Sequence, residues 1–237
     1  MIYAGIFGGV AVLAALVASL TWSRGFFGLA LAVAFGWLAA SFGVVALAYG
    51  GLGPGVLGKR TDGGVPLWSY ALFGPFLVLG RASLRAFNST GLSARWNEVD
   101  DGVWLGRRPG PSDRDDFAGL QPVAVLDLTA EVARSRLLTG QEVYLTLPVL
   151  DNAAPTPAQL DIAAAFIDKH RATGPVYVHC ALGLGRGATA VAAWLLHTRR
   201  AVSVDDAEGQ LRARRREVGL SRAQRRALEA WWTARSG

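Results

Sequence analysis

The stretch VHCALGLGRGATA, residues 178–190, decides the fold. In it His179 and Cys180 precede Arg186 at a Cys-x5-Arg spacing, between an apolar run (175–178) and a helix-like run (188–196). Cys180 is the only cysteine in 237 residues, so it has no disulfide partner within the chain. A thiol at the end of a strand, followed by glycines and an arginine that open a helix, has a direct physical use. Glycines let successive backbone N–H groups turn inward, the helix N-terminus adds positive potential, and the guanidinium forks onto oxyanions. Such a loop binds phosphate and lowers the pKa of its thiol, which makes Cys180 a nucleophile. The phosphate-binding residues expected from this reading are Ala181, Leu182, Gly183, Leu184, Gly185 and Arg186.

Two other readings compete. A lone cysteine is commonly a small buried hydrophobe, but the arginine and glycines at this spacing argue for a site. Gly183, Gly185 and Ala188 also match the G-x-G-x-x-A fingerprint of dinucleotide-binding domains, with Asp205 about 20 residues on. That fingerprint opens a large βαβ fold, for which too little chain remains. Ser203 with Asp206 three residues later reads as a helix start, so Asp205 does not end a strand. A dinucleotide-binding domain is therefore the remote alternative.

Outward from the loop, strands alternate with helices. GVWLG (102–106), VAVLDL (123–128), VYLTLPV (143–149) and VYVHC (176–180) read as strands. Between the last two, Thr156 can cap a helix, Pro157 suits its first position and Gly174 can end it. This predicts an α/β domain with a central, largely parallel sheet, whose site gathers at the carboxyl ends of the strands. Leu220, Ala223, Leu228 and Trp231 recur at helical spacing in the arginine-rich terminal segment, predicting an amphipathic helix.

Charge divides the chain. Up to Gly80 only Arg24, Lys59, Arg60 and Asp62 carry charge. Residues 2–22 and about 26–49 are apolar runs long enough to cross a bilayer. A third run, 65–80, carries Pro66 and Pro75 and reads as a span or a re-entrant segment. Small residues such as Gly5, Gly8, Gly9, Ala34 and Gly36 suit close helix–helix approach. The first run lacks a charged n-region and a second span follows at once, which argues against a cleaved signal peptide. The expected organisation is a membrane region over 1–87, with two to three transmembrane segments, and a catalytic domain over 88–237. The basic flank Arg81, Arg85, Arg95, Arg107 and Arg108 puts that domain in the cytoplasm of a multi-pass membrane protein. Behind the net charge of +6 the basic residues are nearly all arginines, many of them in the terminal segment, without aromatic platforms for nucleic acid. Three scattered histidines and one cysteine make no metal site, and no cofactor is implied.

The His-Cys-x5-Arg run and its surroundings resemble the signature loop of the cysteine-dependent (protein tyrosine) phosphatases, most closely the dual-specificity branch. The resemblance covers roughly residues 96–232, and with the apolar N-terminal part it implies a membrane-anchored dual-specificity phosphatase. It implies a phosphoric monoester hydrolase in which Cys180 attacks phosphorus and Arg186 holds the equatorial oxygens. It points to Asp151, the only acid in the loop LPVLDNAAPTPAQL (147–160), as the group that protonates the leaving oxygen and then activates water. It gives His179 an orienting role rather than a metal-binding one. The family has Ser or Thr directly after the arginine, to help the sulfur leave. Here that position is Gly187, and the nearest hydroxyl is on Thr189. The slow phosphate-binding module that this substitution would produce is the alternative function.

Asp127 and Glu131, at the end of a buried strand, are expected either to point toward the site or to bind backbone in a turn. Asp161 and Asp168 are expected to face solvent, and His170 and His197 are isolated. The loop interior is apolar and lacks lysine, which favours a monophosphate ester: a phosphoprotein, or a phospholipid such as phosphatidylglycerol phosphate, with the bilayer as partner.

Overall fold

A computed structural model describes residues 2–91 and 93–236. The chain forms two compact units, Met1–Lys59 with Val65–Ala86, and Arg60–Gly64 with Phe87–Gly237.

The first unit is built from three helices, α1 (Ile2–Thr21), α2 (Gly25–Leu47) and α3 (Leu67–Ser89). Each is long and apolar enough to cross a membrane. Small residues let α1 and α2 approach closely: a Cβ at Gly8 would stand 3.9 Å from Ala46 Cβ, and one at Gly43 3.8 Å from Ala11 Cβ. The third helix runs past the 65–80 segment to Ser89 and passes straight through Pro75. Proline has no N–H, so the Ala71 carbonyl loses its helical donor. Trp37 of α2 supplies the replacement, its indole N–H donating to Ala71 O at 2.7 Å. Gly74 makes room for that indole, since a Cβ there would lie 2.6 Å from the ring.

The second unit carries a five-stranded sheet in the order β1-β2-β5-β3-β4. The strands are β1 (Trp96–Asp100), β2 (Val103–Arg107), β3 (Ala124–Thr129), β4 (Tyr144–Val149) and β5 (Val176–Cys180). Only β1 runs antiparallel to its neighbour; the other pairings are parallel. Sequence reading missed β1, whose WNEVD has no apolar alternation. The short α4 (Arg114–Ala118) follows β2, and α5 (Pro157–Arg171) joins β4 to β5. At its start Thr156 accepts from Gln159 N while Gln159 reaches back to Thr156 N, a reciprocal cap.

Helix α6 (Arg186–His197) is buried on every side from Arg186 to Leu196. It reads as apolar all round because the sheet and other helices enclose it. Helices α7 (Val204–Arg214) and α8 (Arg222–Ser236) complete the domain. Leu228 and Trp231 of α8 are buried, but Ala223 is exposed and Gln224 takes the buried position beside it. Asp161 and Asp168 do not simply face solvent. Asp161 accepts from the Trp231 indole at 2.7 Å and pairs with Arg235, while Asp168 pairs with Arg171 and accepts from the Trp194 indole. Indole N–H groups that sink into a core take whatever acceptor lies at its rim, here the two carboxylates. Asp205 stands in the first turn of α7, capped by Ser203, and not at a strand end.

Candidate active site

The site begins where β5 ends. Cys180 is its last residue, and parallel pairing on both sides, with β2 and β3, leaves the thiol at the carboxyl edge of the sheet. The thiol is buried at 3% exposure. Its Sγ accepts from Gly183 N at 3.2 Å, a turn made possible by the positive φ of Gly183. No larger residue fits there, because a Cβ would fall 2.3 Å from the backbone of Gly106.

Every carbonyl from Ala181 to Gly185 is engaged. Arg108 N donates to Ala181 O at 3.3 Å, and Arg215 donates to Leu182 O at 3.0 Å and to Gly183 O at 3.1 Å. Gly219 N donates to Leu184 O at 3.1 Å, and Thr189 binds Gly185 O through both its N–H and its hydroxyl. With the carbonyls held, the amide of Gly183 is directed at the sulfur. Arrays of this kind form anion-binding concavities.

Arg186 opens α6 and is 2% exposed. Its fork is held bidentately by Glu131, Nη1 to Oε2 and Nη2 to Oε1, both at 2.8 Å. Nη1 also donates to Val149 O at 2.8 Å, and Nη2 lies 3.1 Å from Asp151 Oδ1. Burial disfavours the guanidinium charge, but Glu131 together with the charges of Cys180 and Asp151 outweighs it and holds the group above its ordinary value. The buried Nε has no hydrogen-bond partner among the described residues.

Asp151 is exposed, at the head of the loop after β4. That loop is fixed from α8: Ser221 Oγ donates to Asn152 O at 3.1 Å and Gln224 Nε2 to Ala153 O at 3.0 Å. Beneath the site, Asp127 accepts from the Tyr144 hydroxyl at 2.6 Å and from Thr129 N and Oγ1 at 2.8 and 2.7 Å. His179 Nδ1 lies 3.9 Å from Asp127 Oδ1 and 3.4 Å from Cys180 O. Burial, then the adjacent Asp127 charge, holds the Tyr144 phenol well above its ordinary value.

Cys180, Arg186, Asp151 and Glu131 thus converge, and His179 with Asp127 lies below them. Thr189 does not aim at the sulfur, because its single hydroxyl proton is committed to Gly185 O at 2.9 Å. Sequence reading missed Arg215 and Gln224. The signal for Arg215 was present: it continues the buried face of α7 at Val204, Ala207, Leu211 and then 215. Among the described residues, no group of three or more His, Cys, Asp or Glu could hold a metal.

Residues 103–233, more than half of the chain, match the dual specificity phosphatase catalytic domain. The chain belongs to the dual specificity phosphatase family. It is 33% identical over 118 residues to dual specificity protein phosphatase Mpk3 of Drosophila melanogaster, covering 49% of this chain and 28% of that one. It is 30% identical over 140 residues to phosphatidylglycerophosphate phosphatase PTPMT2 of Arabidopsis thaliana, covering 56% and 61%. The matches thus span less than two thirds of these relatives' lengths. Among solved structures it is similar to PTPMT1 in complex with PI(5)P, with a TM-score of 0.54, 25% identity, and coverage of 61% of this chain and 100% of that one. It is also similar to Tk-PTP in its active form, with a TM-score of 0.52, 27% identity, and coverage of 59% and 97%. These neighbours share the phosphatase-like fold around a mostly parallel sheet.

Proposed function

We propose that this phosphatase-family protein is a membrane-tethered phosphomonoesterase that works through a phosphocysteine at Cys180. The observation that carries the reading is the buried Arg186, whose two Nη atoms are anchored while its Nε lacks an acceptor among the described residues. A phosphate oxygen supplies that acceptor, and the loop amides supply the other donors. The Cys180 sulfur forms a bond to phosphorus as the bond to the leaving oxygen breaks. Asp151 gives that oxygen its proton. A water, losing a proton to Asp151, then attacks phosphorus, and the electron pair of the broken S–P bond returns to sulfur.

We assign the substrate to the lipid monophosphates, with phosphatidylglycerol phosphate as the working example. Three apolar helices in the same chain, a loop interior without lysine and the names of the PTPMT relatives support this. A phosphoprotein is the second reading, supported by the similarity to Mpk3. The catalytic domain is assigned to the cytoplasmic side, on the arginine-rich flank that follows α3.

The deciding experiment is rapid mixing with p-nitrophenyl phosphate. Steady turnover establishes an enzyme, and release of one equivalent followed by arrest establishes a trapped phosphocysteine. No release at all leaves a binding module and refutes the proposal. Cys180→Ser should abolish release and keep vanadate affinity, since the amides remain. Comparing kcat/KM on phosphatidylglycerol phosphate micelles with that on phosphopeptides then separates the two substrate classes. Protease added to intact cells should spare the chain beyond Arg81; cleavage there with the membrane sealed would reverse the orientation.

A further inference from the structure

Arg215, at the end of α7, is 1% exposed. Its five N–H donors all meet acceptors. Nε donates to Gly183 O at 3.1 Å, Nη1 to Ala94 O and Asn97 Oδ1 at 2.8 Å each, and Nη2 to Ser93 Oγ and Leu182 O at 3.0 Å each. Three of these acceptors belong to residues 93–97, where the chain enters the catalytic domain after α3. The other two belong to the phosphate loop.

The planarity of the peptide bond gives these contacts a consequence. The carbonyl of Leu182 and the N–H of Gly183 belong to one trans peptide and point in opposite directions. That N–H is the one aimed at Cys180 Sγ, 3.2 Å away. The Arg215 contact to Leu182 O therefore fixes the orientation of the amide that faces the sulfur. Its contact to Gly183 O fixes the next peptide, and with it the amide of Leu184. One guanidinium sets two consecutive planes of the loop.

Arg215 also has no carboxylate within salt-bridge distance among the described residues. A buried cation without a directly paired carboxylate is costly. Burial lowers its pKa from the ordinary arginine value, with the charges of Glu217, Tyr177 and Cys180, in that order, acting against that. A phosphate bound on the loop is an anion placed to offset that charge.

We infer that Arg215 is a positioning residue of the phosphate loop, braced against residues 93–97 so that the loop amides stay directed at the bound oxyanion. This rests on the phosphate-binding reading of the loop but not on turnover.

The test exploits the single cysteine. Iodoacetamide alkylation of the full-length protein in detergent reports Cys180 alone, and protection by inorganic phosphate reports occupancy of the loop. Arg215→Lys keeps the charge and loses the fork. It should raise the phosphate concentration for half-protection by about tenfold or more, the scale of one hydrogen bond to a charged group. Asn97→Ala, on the far side from the loop, should weaken protection about threefold. The double variant should fall short of the product of the two, because both act through the same guanidinium. A purely structural role predicts lower melting temperatures with half-protection unchanged within twofold in both single variants, and that result overturns the inference. Should Arg215→Lys not fold, Asn97→Ala and Ser93→Ala decide alone, and wild-type protection in both refutes it. A wild type that phosphate protects but that releases no nitrophenol defeats the hydrolase reading only. One that phosphate does not protect overturns both.

Discussion

Replacing Gly187 with serine tests the chemistry of the second step most sharply. Gly187 is in the first turn of α6, and a Cβ there would lie 3.6 Å from Cys180 N and 3.0 Å from Leu105 Cδ1. A serine oxygen, one bond further out, can therefore be turned toward Cys180. The sulfur leaves phosphorus with developing negative charge, and a hydrogen bond to a charged group contributes roughly 1.5–3 kcal/mol. On that scale breakdown of the phosphocysteine should accelerate about 10- to 150-fold. The 3.0 Å contact works against stability, since Leu105 is fully buried and must shift by a few tenths of an ångström. Overpacking costs about 1–3 kcal/mol, against roughly 0.5 kcal/mol gained by replacing a helical glycine. Gly187→Ser should therefore be somewhat less stable and faster. Gly187→Ala carries the crowding without the hydroxyl and isolates it. Stopped-flow release of nitrophenol should show a burst in wild type and Gly187→Ala, and a much smaller burst with faster turnover in Gly187→Ser. If serine and alanine variants behave alike, or the wild type shows no burst, the missing hydroxyl does not limit turnover. Thr189→Val should change the burst less than threefold, because the Thr189 hydroxyl already donates to Gly185 O; a collapse would show that it serves the sulfur after all.

Glu131→Gln removes the carboxylate that holds Arg186 bidentately. Breaking a buried pair costs at most about 3–5 kcal/mol, less here because Asp151 stays 3.1 Å from Arg186 Nη2, so the melting temperature and vanadate affinity should both drop; retention of both would make Glu131 incidental. Tyr144→Phe deprives Asp127 of its phenol donor, and should cost about 1–3 kcal/mol, read by chemical denaturation of the purified protein. Because burial keeps that phenol protonated across the working range, the loss should be the same at pH 6 and pH 9; a loss confined to low pH would contradict the assignment of the proton. In the first unit, Trp37→Phe leaves Ala71 O, freed by Pro75, without its indole donor. It should lower thermal stability in detergent by about 1–3 kcal/mol, and an additional Pro75→Ala, which restores the helical donor, should recover most of it.

The parts of this protein visible in its sequence follow simple periodicities and fixed spacings. Cys180 to Arg186 is a local loop, so its conformation follows from glycines and a helix start on one short stretch. Strands β2 to β5 are buried enough to read as apolar runs, whereas β1 is half-exposed and edge-lying, and its WNEVD gives no such signal. The acid loop could be located because a strand and a capped helix bracket it. The end of a buried strand marks Glu131 as a candidate, but which group each polar side chain pairs with across a long stretch of chain is not legible in the sequence. Glu131 is 55 residues from Arg186 and Arg215 is 33 from Leu182, and no local rule ties them. In RARRR (212–216) the four arginines look alike as charges, yet only Arg215 is buried while its neighbours in the run are exposed. The difference lies in helical phase: Val204, Ala207 and Leu211 lead to 215 on the face of α7 that meets the sheet and the loop. A charge on the buried phase of an otherwise solvated helix is hence the sequence feature to weigh first. It is costly to bury, and in this fold it goes to the peptide planes that surround the thiol.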